Sequence, residues 1–84
     1  MQQKELSDLL HADMEIARAE YIESKTAFME TIVEMRRVNP VDAGFILRLA
    51  LDECNRAFEI FNQAERAYTA FAIADEVPMP YRAA

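Results

Sequence analysis

Eighty-four residues with a formal charge of −6 make one domain at most, and one too small to bury a comfortable fraction of its surface unaided. The single cysteine, Cys54, excludes an internal disulfide and points to a reducing compartment. The negative charge repels phosphates, so direct nucleic-acid binding is not expected, and no apolar run approaches the roughly 18 residues of a membrane span.

The first ten residues, "MQQKELSDLL", offer neither a basic start nor an apolar core for export, so a soluble cytoplasmic protein is expected. Hydrophobic residues make up 52% of the chain while Gly and Pro together number four, a composition that is neither disordered nor rich in loops. From residue 3 to residue 38 there is no Gly or Pro, and Ala, Glu, Met, Leu and Arg dominate. This predicts a first helix over about 3–37.

Alternating steps of three and four along it give Leu10, Met14, Ala17, Tyr21, Ser24, Phe28, Thr31, Met35 and Val38, an apolar seam with two exceptions. A second helix over about 39–76 continues the pattern with Ala43, Leu47, Ala50, Cys54, Ala57, Phe61, Ala64, Tyr68 and Phe71. Alanine recurs there every seven residues, and helix 1 echoes it with Ala17, Ser24 and Thr31. Small residues at one heptad position of both helices let the axes approach closely.

Matching small with small pairs Val38 with Ala43, Thr31 with Ala50, Ser24 with Ala57 and Ala17 with Ala64, each pair of numbers summing to 81. The centre of that register falls beside Pro40. The predicted fold is all-α, an antiparallel, coiled-coil-like hairpin forming one domain over 1–76.

The bend is "RRVNPVDAG", residues 36–44. Asn39, Pro40 and Asp42 suit the N-cap, N1 and N3 positions of helix 2, and Arg36 and Arg37 complement the negative end of helix 1. Gly44 costs roughly 1 kcal/mol in a helix interior, which close approach of a neighbouring backbone would explain. At the other end, Pro78 and Pro80 forbid helix, so 77–84 is expected as an extended tail, mobile or laid along the bundle, and either a frayed end or a docking peptide that uses Met79 and Tyr81.

Two helices cannot cover every apolar side chain. Leu6, Leu9, Ile22, Met29, Ile32 and Val33 on helix 1, with Phe45, Ile46, Leu49, Phe58 and Ile60 on helix 2, lie outside the seam. A homodimer forming a four-helix bundle would use them, at about 1.5–3 kcal/mol for each fully buried large side chain.

Chemistry-bearing residues are sparse. Cys54 sits on the seam as a small hydrophobe. His11 shares a helical face with Asp8 and Glu15, but helix 2 offers no counterpart, and an exposed polar face explains the trio better than a metal site. No enzyme activity, catalytic residue, cofactor or metal is expected.

Two surfaces are candidates for binding. Asp13, Glu20, Glu23, Glu30 and Glu34 form an acidic stripe that can engage a basic surface, including one that normally holds nucleic acid. Ile22, Met29 and Val33 with Phe58 or Phe45 form an apolar patch that can capture an amphipathic helix.

In charge and shape the chain is similar to small acidic helical proteins such as bacteriophage-encoded inhibitors of host machinery, and to secretion-system chaperones built from helical hairpins. It departs from secreted hairpins with a Trp-x-Gly turn, since it has no tryptophan. The function expected is a non-enzymatic inhibitor or adaptor that occupies a surface of a larger protein. The alternatives are a chaperone shielding a client's amphipathic helix and a small metal or ligand site in the bundle.

Overall fold

The protein is an antiparallel pair of long helices, described by a computed structural model over residues 3–78. Helix α1 runs Gln3–Met35 and α2 Pro40–Ala74, with no strand among the described residues. At about 1.5 Å per residue such helices are roughly 50 Å long, and the molecule measures 55 × 19 × 17 Å. Its radius of gyration is 17.4 Å, where a compact chain of this length has about 12 Å. A rod of this kind leaves almost every residue within reach of solvent.

The heptad seam is the packed interface. In α1, Leu10 and Ala17 are buried and Met14, Tyr21, Ser24, Phe28, Thr31 and Met35 half-buried; in α2, Ala43, Cys54 and Phe71 are buried and the remaining seam residues half-buried. Only Val38, in the bend, counts as exposed. Tyr21 fixes the middle of the register, its ring 6.1 Å from Phe61 and nearly parallel to it, and 5.2 Å from Phe58. Thr31 tolerates the seam because its hydroxyl donates to the Ala27 carbonyl one turn earlier, at 2.8 Å, and so needs no partner across the interface.

The bend is short and capped. α1 stops at Met35, two residues before the expected end, because the next N–H groups tighten into three-residue turns: Arg37 N–H donates to Glu34 O and Val38 N–H to Met35 O. Asn39 then leaves the helical region at φ −52°, ψ 133°, and its side-chain oxygen accepts from Val41 N–H at 2.9 Å. Pro40 at the first position of α2 has no N–H to satisfy. Gly44 is a correction to the sequence reading: nothing described lies within 4 Å of a Cβ built on it, so the hairpin makes no close approach there.

The open end is where the core is densest. Leu6, Leu10 and Phe71 form a buried cluster, and Ala67, Tyr68 and Val77 pack against it. α2 ends at Ala74 because Asp75 adopts the left-handed conformation, φ 55°, with its N–H donating to Phe71 O. Aspartate tolerates that region better than most residues. The reversal carries Val77 back onto the cluster, so the start of the expected tail belongs to the core. Gln3 Nε2 donates to Asp75 Oδ1 at 3.2 Å and ties the two ends together. Met79 and Tyr81 lie outside the described residues.

Candidate protein-binding groove

A two-helix hairpin has two broad faces, one on each side of the plane through its axes. Rows seven residues apart flank the seam on each face. On one face the α1 row is Asp13, Glu20, Ala27 and Glu34, and the neighbouring α2 row is Ile46, Glu53, Ile60 and Ala67. On the other, Lys4, His11, Arg18, Lys25 and Ile32 of α1 adjoin Gly44, Leu51, Phe58, Glu65 and Ala72 of α2.

The first face holds an open groove of about 460 Å³ between the helices. Its floor is made of small side chains, Ser24 and Ala27 of α1 with Ala50 and Ala57 of α2. The alanines that let the helices approach also remove bulk from the surface above them, and so the seam pattern itself hollows out the groove. Phe28 and Ile60 add apolar wall, while Glu20, Glu23 and Glu53 stand on the rim with Arg56. Three carboxylates to one guanidinium give the rim a net negative charge, in an apolar channel that focuses its field.

Of the acidic stripe, Glu20 and Glu23 line this groove, whereas Asp13, Glu30 and Glu34 are exposed on α1 beyond it. The apolar candidates lie elsewhere. Ile22, Met29 and Val33 are exposed by 52–60% and sit about 100° around α1 from the acids, while Phe58 packs against Tyr21 on the opposite face. One partner surface therefore cannot meet both sets at once through a flat contact. Sequence reading missed Glu53, Arg56 and Ile60, the α2 wall. Their signal was available in the register, which sets Glu53 beside Ala27 and Ile60 beside Glu20.

The remaining polar candidates have local roles. His11 Nε2 lies 3.8 Å from Glu15 Oε1, and the His11 ring meets Tyr68 edge-on at 5.5 Å. Among the described residues no three His, Cys, Asp or Glu side chains converge on a point that would hold a metal. Cys54 is buried in the seam as a free thiol. No helix of the described residues is long and apolar enough to cross a membrane.

Comparison of the chain with known protein families, with curated proteins and with solved structures finds none that matches it.

Proposed function

We propose that this protein is a small acidic binding module whose groove takes a basic amphipathic helix from a larger protein. The observation that carries the reading is the groove itself, an alanine-floored channel with Glu20, Glu23 and Glu53 on its rim. A helix laid there places apolar side chains over Ala27, Ala50 and Ala57 and Lys or Arg side chains against the rim. Both halves of the recognition follow from known modes of helix capture and charge pairing. Occupying such a helix would block or shield whatever it normally contacts, an inhibitor's or an adaptor's role.

The test uses a fluorescently labelled synthetic helix, leucine and alanine on one face and lysine on the other, against the same peptide with glutamate in place of lysine. The lysine peptide is expected to bind at low salt and the glutamate peptide not. Reversing charge at Glu20 and Glu53 together should weaken binding about tenfold or more, as should added salt. Equal binding of both peptides, or a Glu20→Lys/Glu53→Lys protein that binds as before, defeats the proposal.

A further inference from the structure

We propose that a second copy of this chain docks on the face opposite the groove, bend beside bend, with each α1 lying over the second copy's α2.

The need for cover is visible in the surface area. The chain exposes 6573 Å², whereas a compact monomer of its mass exposes about 5,100 Å². The excess of roughly 1,500 Å² exceeds the ~800 Å² that each partner buries in a standard interface. Among the described residues fifteen large apolar side chains are exposed, and twelve of them fall between Ile22 and Ile60, away from the cluster that closes the open end.

Charge then decides which face a second copy can use. The groove face carries Asp13, Glu20, Glu34 and Glu53 in the rows beside the seam and no base in those rows, with Arg56 at the groove's rim as its one cation among the described residues. Two such faces brought together would confine carboxylates mostly against carboxylates, which disfavours that pairing. The opposite face is net basic but carries an acid, Glu65, that a second copy can pair with a base. Reading from the bend, the antiparallel register sets Ile32 level with Leu51, then Lys25 with Phe58, then Arg18 with Glu65. Ile32, Leu51 and Phe58 are 37–43% exposed, with Ile22 and Met29 at the margin.

The same rows fix the orientation. With α1 over the second copy's α2 and the bends together, each layer repeats twice: four aliphatic side chains, two lysine stems on two phenylalanine rings, and two arginines with two glutamates. Turning one copy end for end stacks α1 on α1 instead. Lys4, His11, Arg18 and Lys25 would then face their own kind, and the opposite-charge layer would be lost. The arrangement is isologous and closed, so it stops at two chains.

Sedimentation of the full chain over a range of concentrations reads the outcome directly. The wild type is expected at twice the chain mass of 9.7 kDa. Leu51 and Ile60 are both partly exposed and lie on opposite faces, so lysine at each is a matched pair. Leu51→Lys should raise the dissociation constant about a hundredfold or more, by burying an unpaired charge, and Ile60→Lys should leave it within about threefold. Arg18→Glu should weaken association and Arg18→Glu with Glu65→Arg should restore it, which the end-for-end arrangement does not give.

If Leu51→Lys loses helicity together with mass while Ile60→Lys keeps both, the hairpin depends on its second copy and the proposal stands. A wild type monomeric throughout, or equal effects of the two lysines, overturns it. Reversal of Glu20 and Glu53 should leave the mass unchanged, so failure at the groove and failure here are separable.

Discussion

The cap at Asn39 gives the sharpest check on how the bend is built. Its side-chain oxygen accepts from Val41 N–H at 2.9 Å while its carbonyl accepts from Ala43 N–H at 2.8 Å, so one residue satisfies two groups at the start of α2. Asn39→Ala removes only the first of these. An N-cap of this kind is worth about 1 kcal/mol, within a range of 0.5–2. In a domain of this size 1 kcal/mol moves the melting temperature by roughly 4–8 °C. Asn39→Asp keeps the acceptor and adds charge at the positive helix end, so its stability should stay within about 0.5 kcal/mol of wild type or rise above it. Glycine, which opens the N–H to water, should cost only a few tenths. Urea unfolding followed by far-ultraviolet circular dichroism, at one fixed protein concentration, measures all three. An alanine variant as stable as wild type, or an aspartate as damaging as alanine, would show that the capping bond does not hold the bend.

Three further outcomes are expected in the same assay. Gly44→Ala should stabilise the hairpin by about 0.5–1 kcal/mol, since the added methyl meets no described atom of its own chain within 4 Å and helix propensity favours it; destabilisation would mean that the proposed second copy, whose docking face includes Gly44, covers the site closely. Asp75→Gly should gain up to about 1 kcal/mol by relieving the left-handed conformation and removing an acid from a helix C-terminus, and a loss would assign more weight to the Gln3 hydrogen bond. Leu10→Ala, at 3% exposure, should cost about 2–4 kcal/mol, while Ile73→Ala, at 81% exposure, should change stability by under about 0.5 kcal/mol; similar losses at both would contradict the uneven burial.

The hairpin was legible because both of its determinants are periodic or local. Alanine every seven residues from Ala43 to Ala64 demands a close neighbour, and only a bend beside Pro40 supplies one with small residues in register. Asn39-Pro40 is a start signal whose mechanism is contained in two residues. The groove was less legible, since it depends on what the seam lacks. Glu20 and Glu23 announce themselves as acids, but Glu53, Ala50 and Ala57 become part of the same surface only when two helices are placed side by side. Val77 leaves the helix as the prolines require, and the Asp75 reversal lays it against Leu6 and Leu10, a contact that no periodicity in the sequence announces. Gly44 had a packing explanation on paper that the hairpin does not provide.

The alanine seam also explains why a chain that is half hydrophobic buries so little. Each small residue between the helices brings the axes together but contributes little area, and the large apolar side chains are displaced to the flanks. There the partner helix covers them only in part: Leu51 and Phe58 to one side, Ile46 and Ile60 to the other, all remain exposed, although Phe58 touches Tyr21. Only the open end escapes this, because Leu6, Leu10 and Phe71 replace the alanine pattern and Val77 folds over them. Tight pairing of two helices thus leaves apolar surface exposed, the surface that the proposed second copy would cover in part. The two flanks then differ in shape, one grooved and the other carrying Phe58 against Tyr21, and in charge. The acidic one is the face proposed for a basic partner, while the other, which sets Arg18 level with Glu65, is the face proposed for a second copy.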